Sequence, residues 1–226
     1  RAIVEKLKVK LIGPKEAPLV RRGSTNLEAY QLYLKGRYYF ARRYKGQLEQ
    51  ALDCFTRAIE LDPDFAPALA GLADGLSVAG FYGFRQPRVV LPRARQAAER
   101  AVALDETLAE AHSALGTLHA WLAWDWAVAE REFGRALALD PNASVTHAFY
   151  GIALAAAGRA EEAAAEAERA KALDPLSTLV SFLAAATYHE LRQQGRSIQD
   201  SQGALALDPD SALATWMLSV ALSEAG

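Results

Sequence analysis

Several groups of side chains in this sequence have the types and spacing to do chemistry. Glu161, Glu162, Glu166 and Glu168 are the densest carboxylate cluster. Paired carboxylates perform acid–base work when one of them is buried and its pKa displaced. These four fall at the start and on the outer face of a helical pattern, so the expectation is a solvated face favoured by the helix dipole. His112 and His147 occupy equivalent places in neighbouring segments, which could bring their rings together. A metal site needs three or four ligands and an orienting second shell. No third ligand stands at a sensible spacing, so packing histidines are expected, with no metal and no cofactor. Trp121, Trp124 and Trp126 have the look of an aromatic cage for a cation. Asp125 between them is also a good helix N-cap, and packing at a turn is the favoured reading. Cys54 is the single cysteine, so no disulfide framework forms within the chain; it reads as a structural thiol. Gly80 and Gly83 flank aromatic residues rather than a phosphate loop, and no nucleophile–base triad is visible. The chain is therefore read as no enzyme. The alternative is an enzyme or small-molecule sensor using the aromatic region around Tyr82 and Trp121–Trp126.

The elements that carry these residues are set by a repeat. The string ALALDPN at 136–142 has close copies: AIELDPD at 58–64, AVALDET at 101–107, AKALDPL at 170–176 and ALALDPD at 204–210. The aspartates are Asp62, Asp105, Asp140, Asp174 and Asp208, a period near 34 residues with one longer first interval. Such a period decides the whole fold.

Residues 144–175 are the most regular unit. SVTHAFYGIALAAAG has apolar residues at helical spacing and ends at Gly158, a good terminator. RAEEAAAEAERAKALDP begins with acids in its first turn and ends in Lys171 before Pro175, a charge order that suits the dipole. Pro175 cannot continue the helix and biases Asp174 away from it. Each unit thus reads helix, turn, helix, stop. Small residues recur where helices approach: Gly36, Ala73, Gly116, Gly151, Ala185 and Ser219 in first helices, and Ala51, Ala94, Ala129, Ala163 and Ser197 in second helices. Ala58, Ala101, Ala136, Ala170 and Ala204 form an unbroken alanine series. Large residues alternate with them, among them Tyr39, Leu76, His119, Leu154, Tyr188, Leu222, Phe55 and Phe133, as interlocking helix pairs require.

On these residues the sequence resembles a tetratricopeptide repeat (TPR) array. The resemblance covers 27–226 and implies an all-α, right-handed α-solenoid of helix-turn-helix repeats, five pairs plus one extra helix. The units expected are 26–64, 65–107, 108–142, 143–176, 177–210 and a partial 211–226. Departures are Glu106 in place of a proline, about three extra residues near Arg42–Gln47, and about nine in FYGFRQPRVVLP at 81–92. SIQDSQGALAL carries Ser197, Ser201 and Gly203 and is expected to pack weakly. NLEAYQLYLKGRYYF, GFYGF and WDWAVAEREF further resemble a bacterial subgroup that forms the C-terminal part of signalling and transcriptional regulatory proteins. AIVEKLKVKLIG at 2–13 resembles the connector helix leaving an upstream domain, so 1–25 is read as a connector and the chain as a fragment.

The resemblance also implies a concave face lined by first helices that binds a peptide or partner helix. Carried onto this sequence, it names Tyr30, Tyr33, Arg37 and Phe40, then Asp74 and Ser77, then Ser113, Thr117 and Trp121. Val145, Ala148 and Ile152, then Leu179, Phe182 and His189, then Leu213 and Trp216 follow. The lysine and asparagine clamp that some relatives use for carboxylate-ended tails is missing. In the last helix, Met217, Leu218 and Leu222 are expected to present an uncapped apolar face, the alternative function being self-association as a homodimer.

Composition limits the partners. The 226 residues are 51% hydrophobic with a net charge of −2, which does not favour nucleic acid as the partner. Residues 1–45 carry 12 Lys/Arg against 3 Asp/Glu, and the rest 13 against 24. A basic segment ahead of an acidic body could dock on an acidic surface, nucleic acid included, but a solvated face is the favoured reading. The longest uncharged run, 141–158, reads as a buried helix rather than a membrane span. The partner expected is a protein or peptide in the cytoplasm, or in the periplasm if a membrane span lies upstream.

Overall fold

The computed structural model describes residues 24–225. The connector expected at 1–25 falls, but for its last two residues, outside the described residues, as does the basic segment as far as residue 23. Among the described residues there are eleven α-helices: α1 Leu27–Arg42, α2 Lys45–Leu61, α3 Ala66–Phe81, α4 Pro87–Leu104, α5 Ala109–Leu118, α6 Trp126–Leu139, α7 Ser144–Ala156, α8 Ala160–Leu173, α9 Thr178–Glu190, α10 Gln194–Leu207 and α11 Ala212–Ala225. A short π-helical turn, His119–Ala123, extends α5. Each odd helix packs on the next even one, each even helix on the following odd one, and α3 on α5 and α7 on α9 side by side. The result is an all-α solenoid of helix pairs.

The recurring Leu-Asp string has a local cause. Each of the five aspartates caps a second helix, all but Asp174 in an extended conformation, and its backbone N–H donates to the carbonyl of the alanine four residues earlier. Those alanines, Ala58, Ala101, Ala136, Ala170 and Ala204, are fully buried. The side chains of Asp62, Asp105, Asp140 and Asp208 also accept the N–H two residues on, at 2.9–3.4 Å. This turn satisfies backbone donors while the chain reverses toward the next helix. At the end of α7, Gly158 (φ +79°) closes the helix with a left-handed residue. Arg192 (φ +56°) takes the same role after α9.

Small and large residues interlock as expected. Phe55 and Phe133 are fully buried, and a Cβ placed on Gly36 or Gly116 would stand 2.6 or 2.8 Å from their rings. Ser219 is exposed, since no described helix follows α11. The Ser197–Ser201 helix, expected to pack weakly, lies on α9 as closely as the other second helices lie on theirs. Its weakness is chemical instead: both serine hydroxyls are fully buried and make no hydrogen bond.

The two insertions also take definite forms. The residues around Arg42–Gln47 lengthen the two helices and leave only Arg43 and Tyr44 as the turn. Those at 81–92 form a short linker with Gly83 at φ +69°, then start α4 early on Pro87.

Candidate functional site

The residues expected on the face of the first helices are largely buried. Trp121, at the π-turn after α5, packs between Phe81 (4.7 Å between centroids) and Phe149 of α7 (5.0 Å). Phe40, Trp121, Ile152, Leu179 and Phe182 are between 2% and 8% exposed, and Thr117 is fully buried. Val145, Leu213, Tyr33 and His189 are half-buried, Arg37 is exposed, and Trp216 is exposed at 53%. Of the remaining concave positions, Ser77, Ser113 and Ala148 are buried and Tyr30 is at the surface. At the C-terminal end Met217 is buried, Leu218 half-buried and Leu222 exposed. Met217 therefore does not belong to an open apolar face; it packs inward with the main core.

The filling centres on a residue that sequence reasoning missed. Arg43, in the two-residue turn of the first pair, adopts a left-handed conformation (φ +46°) and its N–H donates to the Phe40 carbonyl at 3.2 Å. Its side chain is fully buried, with the guanidinium 4.6 Å from the Phe40 ring centroid and 4.5 Å from that of Phe149. The first unit is thereby tied to the fourth across the concave side. Burial pushes the Arg43 pKa down, while the Tyr82 hydroxyl and the Asp74 carboxylate oppose that shift. The available signal was the three-residue insertion, which lengthens the hairpin tip enough to reach inward.

Asp74, on α3, faces the same interior. Burial raises its pKa to about 7, against the pull of Arg43, Arg37 and the Thr117 hydroxyl. Arg37 donates from Nη1 to the Tyr33 hydroxyl at 3.1 Å. Two cavities flank the closure. One, of about 210 Å3, lies among Arg37, Phe40, Asp74, Ser113, Thr146 and Phe149. It sits where α5 and α7 pack less extensively than α3 on α5 or α7 on α9. The other, of about 720 Å3, separates the end of α1 from α9 and α11; Tyr38, Arg42, Tyr44, Leu179, Phe182 and Leu213 line it.

The groups singled out for chemistry take other roles. His112 and His147 do not meet. Each ring bonds the second helix of its own unit through Nδ1, to Glu132 at 2.8 Å and to Glu166 at 2.5 Å, and a backbone carbonyl through Nε2, both at 3.1 Å. Trp121 points inward, whereas Trp124 is exposed and stacks edge-on with Trp126 at 5.9 Å, so the three do not enclose a common space. Asp125 accepts from the Val128 N–H as an N-cap. Cys54 is buried. Glu162 and Arg159 form a surface ion pair that extends to Glu130, while Glu168 accepts from the Tyr188 hydroxyl at 2.5 Å. Among the described residues, no group of three or more His, Cys, Asp or Glu side chains could hold a metal, and no helix is long and apolar enough to cross a membrane.

Residues 32–65 match the family model for the tetratricopeptide repeat. That segment therefore carries a tetratricopeptide repeat, and the helix pairs that follow it continue the same fold. Its fold is similar to that of a thermophilic TPR protein from Thermus thermophilus, with 18% identity and a TM-score of 0.67 over 86% of this chain and 99% of that one. It is also similar to a chain of the APC/C hetero-tetramer Cut9–Hcn1, with 20% identity and a TM-score of 0.50 over 86% of this chain and 43% of that one. No protein of curated function matches it in sequence. The repeat match supports an interaction scaffold.

Proposed function

We propose that this TPR array is a protein-interaction module that takes a peptide or partner helix in the wide groove between its first and last units, as part of a bacterial regulatory protein of the cytoplasm. The observation that carries the reading is the 720 Å3 groove, with Leu179, Phe182 and Leu213 as an apolar floor and Tyr38, Arg42, Asp208 and Asp210 at its margins. Trp216 lies one helical turn beyond Leu213, so it extends the same face while exposed. An apolar floor with a mixed polar margin suits an amphipathic segment. Aromatic anchors at the edge of such a groove are frequent hot spots. The regulatory parent rests on the resemblance of 26–40, 80–84 and 124–133 to that bacterial subgroup.

The test is capture from source-cell lysate by the chain and by its Tyr38→Glu/Trp216→Glu variant, both side chains being exposed, with circular dichroism confirming that the variant folds. A protein held by the first and lost by the second supports the reading; identical capture by both rejects it. A second reading, self-association through the end of α11, has exposed Trp216 and Leu222 in its favour. Light scattering over a concentration series separates the two, since a Leu222→Glu variant abolishes a dimer formed there and leaves groove binding intact.

A further inference from the structure

We infer that the groove between the first and last units is covered, in the free protein, by the chain's own residues 2–12, a basic and apolar segment that a partner must displace. The inference rests on the reading of that groove as a binding site. Its floor is apolar, with Leu179, Phe182 and Leu213, and one margin is acidic, with Asp208 and Asp210 in the turn between α10 and α11. Asp208 accepts the Asp210 N–H at 3.2 Å, which fixes the turn, and Asp210 itself is exposed. Tyr38 and Tyr44, 57% and 59% exposed, form the other margin. Arg42 stands there too, its guanidinium 4.9 Å from the Tyr38 ring centroid. The cations of an occupant are therefore directed to the α10–α11 side. An apolar floor beside an acidic margin selects aliphatic side chains flanked by positive charge.

Residues 2–12 have that composition. They carry Lys6, Lys8 and Lys10 against Glu5 alone. At helical spacing Ile3, Val4, Leu7 and Leu11 share one face, and Lys8 and Lys10 flank it on either side. The chain is also long enough to bring them there. Ser24, the first described residue, donates its hydroxyl to the Asp62 carboxylate beside the N-terminal end of α1. The groove opens at the other end of α1, about 24 Å away for a helix of 16 residues. Residues 13–23 reach about 36 Å when extended, at ~3.3 Å per residue. A tether of that length holds the segment at an effective concentration in the millimolar range, so a contact of only ~100 μM affinity is made about nine-tenths of the time. A second copy of the chain at micromolar concentration has no such advantage.

Paramagnetic relaxation on the whole chain tests this, with a nitroxide on Ala2→Cys and the buried Cys54 removed as Cys54→Ala. The amide signals of Leu179, Asp210 and Leu213 are expected to lose most of their intensity while the label is oxidised and to regain it on reduction. In a mixture of labelled, unenriched chain with unlabelled, isotope-enriched chain the same signals should stay intact; loss there would make a second copy the occupant and overturn the inference. Lys8→Glu/Lys10→Glu and Asp210→Lys should each weaken the loss at Leu179 and Leu213, and combining them should restore part of it, because the exchanged charges attract again. If Asp210→Lys does not fold, the Lys8→Glu/Lys10→Glu chain still decides. That chain should also capture more of the groove's partner from lysate than the original chain does. Full intensity at all three amides, or a loss that Lys8→Glu/Lys10→Glu leaves unchanged, would overturn the inference. If the label reports no contact while Tyr38→Glu/Trp216→Glu still releases a captured protein, the groove reading stands and only the occupant named here is wrong.

Discussion

Alanine substitutions at two glycines of the third helix pair should have opposite effects, although the chemical change is the same. Gly116 lies in α5 against Phe133; an added Cβ would stand 2.8 Å from Cδ1 and 2.9 Å from Cγ and Cε1 of that ring. Ordinary contacts begin near 3.4 Å, so the ring must shift by about half an ångström in a core where it is fully buried. Overpacking of this kind costs about 1–3 kcal/mol. Replacing a mid-helix glycine with alanine returns about 1 kcal/mol. The net effect is a loss of about 1 kcal/mol, or about 2–4 °C in Tm for a chain of this size. Gly134, in the facing helix α6, has nothing within 4 Å of its Cβ position. Gly134→Ala should therefore gain about 1 kcal/mol and raise Tm by a similar amount. Differential scanning calorimetry reads both. Adding Phe133→Leu should make Gly116→Ala less costly, a non-additivity expected of touching residues. If Gly116→Ala stabilises as much as Gly134→Ala, the small-against-large interlock at this joint is wrong.

Three further outcomes follow from local geometry. Burial opposes the charge on His147, but Glu166 and the Pro141 carbonyl outweigh it and hold its pKa above the ordinary value. A raised folded-state pKa means stability fully present below about pH 6.5 and lost as pH rises through the folded-state value; urea denaturation across that window should show the loss, and Glu166→Gln should flatten it. Ser197→Ala and Ser201→Ala each remove a fully buried, unpartnered hydroxyl, so each should stabilise by about 1 kcal/mol in urea denaturation. Arg192 occupies the left-handed position that Gly158 fills one unit earlier; Arg192→Gly should stabilise by about 1 kcal/mol, and loss of stability would contradict the helix-end geometry.

The periodic parts of the molecule are legible in the sequence because they are local. Ala136 and Asp140 make the same turn as Ala170 and Asp174, and each can be read from a few adjacent residues. The pairing of Gly116 with Phe133 follows from the repeat period, since it recurs as Gly36 with Phe55. What escapes is what the repeat does not encode. Arg43 sits in an insertion, so no equivalent position in other units announces that it reaches Phe149, more than a hundred residues away in the chain. The inward turn of Trp121 depends on a π-helical turn that has no compositional signature in HAWLA. The repeat places His112 and His147 at equivalent positions, but their glutamate partners on the adjoining helices are hidden among many surface acids. Register groups first-helix positions on one face; that most of them are buried depends on how tightly successive pairs rotate, which single positions do not reveal.

The central claim is that the turn of the first unit closes the concave side against the fourth. Nuclear Overhauser contacts between the Arg43 side chain and the ring protons of Phe149 measure it most directly. With the guanidinium carbon 4.5 Å and 4.6 Å from the two ring centroids, the account predicts clear contacts to both Phe149 and Phe40 and upfield-shifted Arg43 side-chain resonances. Random-coil shifts for Arg43, with no contact to Phe149, would show the concave face to be open and would contradict the account.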